Sequence, residues 1–316
     1  MIDFVGRKQW FFLISWLLVI MGVAALIISQ VQIGSPLRLG QDFTGGTSFT
    51  LQFSSPVEKN QLVQEMTALG YGQADITGAG TNSFKVVYGA QISRQQVQAL
   101  QDSLQTDLGT QVQAADYSYV SGIISTSTAR NALIAVIVAS VAMLFYIVWA
   151  FRRMPNPFRW GTVAIVALLH DVFIVVGIFA ILGLIAGVQI DILFITGLLT
   201  VVGYSINNTV VVFDRIRENK TRGISSDFAI TVNSSIVETL GRCLNTSLTT
   251  FFVILALFLF GGATIHYFVL VLLLGVTIGL YDSICIAGEL LVVWEKREWS
   301  ALIPWARRAA QPQLSR

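Results

Sequence analysis

Charge is what this sequence has least of. Asp, Glu, Lys and Arg make up 12% of its 316 residues, about half the density of a soluble domain. Apolar types account for 54%. So little charge cannot cover a soluble protein of this length, which excludes the soluble enzyme classes and leaves an integral membrane protein. The two cysteines, Cys243 and Cys285, lie in apolar runs. They do not form a disulfide framework, and buried apolar thiols of this kind are inert packing. No zinc-ligand spacing and no haem attachment motif is present. No Ser/His nucleophile set appears, and Asp171 and Asp282 lack the sequence context of an intramembrane aspartyl protease. The Gly-rich stretch near the N-terminus has no Lys and so is not a P-loop. A non-enzymatic protein with no cofactor, no metal and no nucleic-acid partner is therefore expected. The first apolar run follows Arg7 and Lys8 and has no small-residue cleavage site, so it reads as a retained helix.

Long apolar runs are abundant. About 20 mostly apolar residues cross the hydrocarbon, and six runs qualify: Trp10–Ile28, Asn131–Phe151, Trp160–Val188, Ile190–Phe213, Cys243–Phe260 and Tyr267–Trp294. Short connections at Gly187–Ile190 and Gly261–Gly262 make two antiparallel hairpins. Of the 20 basic residues, 15 fall at the N-terminus, after spans two and four, and in the C-terminal tail. The excursion between spans one and two keeps only Arg38, Lys59, Lys85, Arg94 and Arg130. The positive-inside rule then predicts a multi-pass membrane protein with both termini cytoplasmic and the excursion extracytoplasmic. The expected organisation is residues 1–29 for the N-terminus and first span, 30–130 for the external domain, 131–294 for the remaining five spans and 295–316 for a cytoplasmic tail.

The excursion alternates strand and helix signals. Ser48–Phe53 alternates as a strand, and a helix spans Val57–Leu69 up to Gly70. Asp75–Thr77 and Ser83–Tyr88 read as strands about a turn. Ser93 is placed to cap a helix over Arg94–Leu108 that stops at Gly109, and Gln111–Val120 is the final strand. The order β-α-β-β-α-β predicts a small α+β ferredoxin-like domain.

Ionisable residues inside a bilayer are costly and therefore candidates for function. His170 and Asp171 lie near the middle of span three. Thr196, Thr200, Gly203, Asn207 and Asp214 share a face of span four, with Tyr204 and Asn208 beside it. Arg242, Thr246 and Thr249 share a face of span five, and Gly275, Gly279, Asp282 and Glu289 a face of span six. Bland readings stand beside these: helix packing for the Thr and Gly stripes, a hydrogen-bonded core histidine for His170, an interfacial ion pair for Asp214 and Arg215, and snorkelling for Arg242. Asp171 is too deep for that. Asp171, Asn208 and Arg242 are expected in one polar cluster suited to proton or cation handling.

Several runs are recognisable together. Asp42-Phe-Thr-Gly-Gly-Thr47 resembles a DFTGGT motif, and Ala167-Leu-Leu-His-Asp171 resembles ALxHD. The run from Gly203 to Asn219 is similar to GYSxNDTVVVxDRIREN, and Thr239 to Ser247 to TLxRTLxTS; Leu259-Phe-Gly-Gly262 fits as well. In order and over essentially the whole chain, these resemble the SecF side of the SecD/SecF family of protein-export membrane proteins, within the RND superfamily. The resemblance implies a half-RND arrangement of six transmembrane helices with a ferredoxin-like external domain. It implies a partner, SecD, the SecYEG translocon, preprotein substrates and membrane lipid, with SecA, YajC and YidC as further associates. Proton-motive force would drive assistance to translocation. The alternative is an RND-type half-transporter exporting a small hydrophobic or lipidic substrate.

Asp171, Asn207, Asn208, Arg242, His170 and Asp282 are the candidates for the proton path, and the resemblance itself points to the positions of Asn208 and Arg242. Asp214, Arg215 and Arg217 would bind the cytoplasmic loop. Asp42 would close an Asx-turn while Gly45 and Gly46 take left-handed conformations, forming either a tight exit from the membrane or a coupling hinge. One departure matters. Asn208 stands where the family pattern has Asp, and Asn carries no proton at neutral pH. Asp282 and Glu289 stand where Ser and Pro are expected, so a displaced acid could compensate.

Overall fold

The computed structural model describes residues 3–302. Six helices are long and apolar enough to cross a membrane. In chain order the elements are α1 (Lys8–Ile33), α2 (Gln41–Thr44), β1 (Gly46–Phe53), α3 (Lys59–Ala68), β2 (Asp75–Gly80), β3 (Ser83–Tyr88), α4 (Arg94–Leu108) and β4 (Val112–Val120). Then follow α5 (Gly122–Ala150), α6 (Pro157–Ala186), α7 (Ile192–Arg222), α8 (Phe228–Phe260), α9 (His266–Cys285) and α10 (Ala287–Lys296). The basic tail expected over 295–316 lies outside the described residues from position 303 onward.

The chain forms two compact units. One holds residues 29–134 and 182–192. Its four strands form an antiparallel sheet in the order β2-β3-β1-β4. With a helix after β1 and another after β3, this is the split βαβ arrangement predicted from the sequence. Phe49, Leu51 and Phe53 alternate on β1 and are buried with Leu62 and Met66 of α3 and with Val97, Leu100 and Leu104 of α4. Period two on the strand and the steps of three and four on the helix are the two patterns that bury one face. Ser93 and Gln96 form a reciprocal capping box, and Gly109 ends α4 in the left-handed conformation.

Gln41, Gly45 and Gly46 close the entrance to β1. The buried Gln41 side chain donates to Gly46 O at 2.8 Å and to Ser118 O at 3.0 Å. Its oxygen accepts from Ser48 Oγ at 2.6 Å and Ser118 Oγ at 2.8 Å. A buried amide must be satisfied in this way. Gly45 has φ 73° and Gly46 φ 98°, and a Cβ on Gly46 would meet the Tyr88 carbonyl and lie 3.0 Å from Gly89 Cα. Both the left-handed conformations and the tight approach therefore require glycine.

The other unit holds residues 1–28, 135–181 and 193 onward. Its core gathers Trp160, Phe151 and Phe213, with Phe151 stacked on Trp160 at 5.4 Å and Phe213 edge-on to Trp160. Val212, Ile216, Val232, Ile236, Leu291 and Val292 continue that core. Several helices run past the expected spans. The helix α7 continues through the charged run to Arg222, because Asp214–Arg217, Arg215–Glu218 and Glu218–Arg222 pair at helical spacing. In α8 the helix starts fifteen residues before Cys243, where Asp227 accepts the Ala229 amide at 2.8 Å as its N-cap. At the other end of the excursion, α5 starts at Gly122 rather than Asn131. Polar residues there prolong a helix without a breaker between them. The last span bends at Ile286, whose φ of −125° and ψ of −55° separate α9 from α10, while its amide still donates to Asp282 O at 2.9 Å and its carbonyl accepts from Leu290 N at 2.8 Å.

Candidate coupling site

Small residues bring the acids together. On α9, a Cβ added to Gly275 would lie within 2.9 Å of Val201 Cβ, and one on Gly279 would lie 3.1 Å from Ser205 Cβ. Without side chains there, α9 approaches α7 closely. Asp282 follows one turn further along α9, next to Ser283, which meets Thr209 of α7. His170 and Asp171 approach from α6. His170 Nδ1 lies 3.2 Å from Asp282 Oδ1 and 3.6 Å from Asp171 Oδ1. Ser205 donates its hydroxyl to Asp171 Oδ2.

Both carboxylates are completely buried, and the His170 side chain is 13% exposed. Neither Asp282 oxygen, and neither His170 nitrogen, has an aligned hydrogen bond among the described residues. One turn further along, Thr209 and Ser283 share a 3.0 Å hydrogen bond, and Ser283 also donates to Gly279 O at 2.8 Å. Burial without partners is expensive for charged groups. The inexpensive solution is to share a proton, or a small cation, among the imidazole and the two carboxylates, whose ligand atoms all lie within 4.8 Å of one another.

The other expected members lie elsewhere. Instead of the single cluster of Asp171, Asn208 and Arg242, the structure has two groups and an outlier. Asn208 is buried and donates to Ser247 Oγ of α8 at 2.9 Å. Tyr204 OH is 3.4 Å from the same hydroxyl. Arg242 and Asn207 are exposed, and Arg242 has no ion-pair partner among the described residues. Helix periodicity explains the split: Ser205 and Asn208 face different neighbours, α6 with α9 on one side and α8 on the other. Sequence reasoning passed over Ser205. Its signal was its spacing of four from Thr209 and four from Val201 on the face that meets the Gly275 and Gly279 stripe.

At the charged end of α7, Asp214 pairs with Arg217 at 2.5 Å. Arg215 bridges Glu218 and Glu238, each at 2.5 Å. Asn219, buried, donates to Ser235 Oγ at 3.0 Å and to Glu238 at 2.8 Å. These contacts fasten α7 to α8 on either side of the turn at 223–227. Arg159 pairs with Glu295, and Lys296 with Asp227 at 3.0 Å. The Lys296 ammonium and the Ala229 amide hold the Asp227 carboxyl below its usual range.

In the other unit, Asp42 does not close an Asx-turn on its own backbone. It sits in the single turn of α2, and its carboxylate accepts the Ile192 amide at 2.9 Å. That amide is the first of α7. Nearby, Leu39 and Ile190 form a parallel bridge, and Gly40 N donates to Ile190 O at 2.8 Å. Arg38 pairs with Asp75, which also accepts from Gln189 at 2.7 Å. The segment before β1 thus joins the sheet to the connection between α6 and α7.

Residues 100–297 match the family model described as protein export membrane protein SecD/SecF, C-terminal, and residues 33–57 match the SecD/SecF GG motif. The chain belongs to the SecF side of the SecD/SecF family. It is 40% identical over 310 residues to the protein translocase subunit SecF of Thermobaculum terrenum, covering 95% of this chain and 96% of that one. It is 37% identical over 315 residues to the SecF of Anaerolinea thermophila, covering 99% of each. Among solved structures it resembles SecDF of Thermus thermophilus, described as a translocon-associated membrane protein, with a TM-score of 0.81 and 33% identity. That match covers 94% of this chain but 39% of the SecDF chain. A crystal structure of SecDF in a super-membrane-facing form matches with a TM-score of 0.65 and 31% identity. The chain is accordingly a SecF-type subunit of a protein translocase, a transport protein and not an enzyme.

Proposed function

We propose that this SecF subunit works with SecD to assist preprotein translocation through SecYEG, driven by the proton-motive force, and that the proton is held at His170, Asp171 and Asp282. The single observation that carries this reading is the meeting of those three side chains inside the helical unit, with both carboxylates fully buried. Asn208, at the position where the family pattern has an acid, is occupied as a hydrogen-bond donor to Ser247 and carries no proton. The acid missing there is supplied by Asp282 on α9.

The reading also accounts for a polar face. Thr200 and Asn207 of α7 and Arg242, Thr246 and Thr249 of α8 are exposed on this chain within helices long enough to span a bilayer. Such residues are unfavourable against lipid tails and favourable against a second set of helices. SecD, which the resemblance pairs with SecF, is the occupant. The sorting of basic residues supports cytoplasmic termini and an extracytoplasmic sheet domain.

The test is proton-driven preprotein translocation in inverted vesicles holding this chain, its SecD and the translocon. Asp171→Asn and Asp282→Asn are each expected to remove most of the increment that the proton gradient adds. Asn208→Asp is expected to change it little. An increment that survives both Asp171→Asn and Asp282→Asn, or that tracks a sodium gradient instead, overturns the assignment.

A further inference from the structure

We infer that Glu289 is a proton relay between the His170–Asp171–Asp282 centre and the basic end of the bundle. The inference rests on the coupling centre proposed above. Glu289 is completely buried, and neither of its carboxyl oxygens has a hydrogen-bond partner among the described residues. A carboxyl group placed so is costly to keep, and no packing need requires one, since Leu291, Val292 and Val293 beside it fill the core with apolar groups.

Its position gives the cost a use. Glu289 lies seven residues after Asp282, two helical turns and about 10 Å along the axis, so both side chains share one face. Between them the helix bends at Ile286 but keeps its hydrogen bonds, Ile286 N to Asp282 O at 2.9 Å and Leu290 N to Ile286 O at 2.8 Å. The first turn of α10 presents Glu289 to the interior. The groups facing it are few. From α9 come Tyr281, Asp282 and Cys285, and from α1 comes Lys8. On the α8 side, Val232 and Ile236 pack against the neighbouring Gly288. Lys8 is itself 12% exposed and pairs with Glu298 at 2.5 Å. That pair marks where the buried path meets the basic end of the bundle.

The step is a proton transfer with no other bond change. Protonated Glu289 gives its proton, through intervening water, to the carboxylate of Asp282 and becomes a carboxylate. It is reprotonated from the side of Lys8 and Glu298.

The experiment compares wild type, Glu289→Gln, Glu289→Met, Glu289→Asp and Asp171→Asn in the same vesicles. Thermal unfolding of each purified chain is measured alongside. A relay predicts that Glu289→Gln and Glu289→Met lower the proton-driven increment about tenfold or more, that Glu289→Asp restores a large part of it, and that the pH profile of the increment shifts. It also predicts that the Gln and Met variants unfold no earlier than wild type, because an unpartnered buried carboxyl has gone. A merely structural Glu289 predicts the reverse pairing, with earlier unfolding and an unchanged pH profile. An increment within twofold of wild type in Glu289→Gln, or an Asp variant no better than Gln, overturns the relay. If Glu289→Gln keeps the increment while Asp171→Asn loses it, the relay fails and the coupling centre stands. If neither loses it, the coupling centre itself fails.

Discussion

Replacing Gly275 with Ala tests the packing that assembles the site. Helix propensity alone makes such a change favourable, since Ala is better than Gly in a helix interior by about 1 kcal/mol. The structure reverses the sign. A Cβ at position 275 would lie 2.9 Å from Val201 Cβ and closer still to both Val201 methyls. Val is β-branched and stiff at χ1, so the methyls cannot rotate away and the helices must separate. Overpacking of this kind costs about 1–3 kcal/mol. Because all three contacts are under 3 Å, the upper half of that range applies, leaving a net loss of about 1–2 kcal/mol after the propensity gain. Gly241 on α8 is the control: it is also mid-helix, but nothing lies within 4 Å of its added Cβ. Gly241→Ala should therefore stabilise by about 1 kcal/mol. Thermal or denaturant unfolding of the purified chain in one detergent reads both. In Gly275→Ala, Asp282 should also move away from His170, so the proton-driven increment should fall with the stability. A Gly275→Ala chain as stable as Gly241→Ala would refute the close approach of α9 to α7.

Three further outcomes follow from named contacts. Asp42→Ala removes the acceptor of the first α7 amide and should cost about 1 kcal/mol, read as faster hydrogen exchange at Ile192 with β1 unaffected. Asp227 has its carboxyl held below the usual range by Lys296 and the Ala229 amide, so its contribution is present at neutral pH and is lost as pH falls through and below about 4. Exchange at Ala229 should speed up over that window in wild type and be fast throughout in Asp227→Ala. Arg215→Ala breaks two solvent-screened pairs with Glu218 and Glu238 and should lower stability only slightly. The loss should shrink in high salt, and a loss that salt leaves unchanged would point to packing rather than charge.

Much of the architecture is legible in the residues themselves. Apolar runs near the bilayer length mark the six spans, and alternation against helical spacing marks each element of the sheet domain, down to the Ser93 cap and the Gly109 stop. These signals are local, so they survive without tertiary knowledge. Helix ends are less legible. Residues 214–222 look like a loop because they are charged, yet their charges pair at helical spacing and prolong α7.

The candidate site was legible only in its ingredients. His170, Asp171 and Asp282 stand out as ionisable residues in apolar helices, and so do Asn208 and Arg242. Which of them meet depends on how α6, α7, α8 and α9 rotate and approach, and small-residue stripes permit a close contact without naming its partner. Ser205 carried no local signal strong enough to separate it from ordinary packing, and Glu289 stood out only as a second acid on the Asp282 face of the last span.

By itself, then, the sequence determined that the chain has six runs able to cross a membrane, gathers its basic residues in particular connections and carries a βαββαβ excursion, because periodicity, length and charge are properties of neighbours along the chain. Tertiary structure alone decided that Asp282 joins His170 and Asp171 while Asn208 turns to Ser247, and that the 182–192 connection belongs with the sheet domain. Those outcomes depend on distances between residues far apart in the chain, and such distances are set by which helix faces fit closely enough to exclude lipid and water.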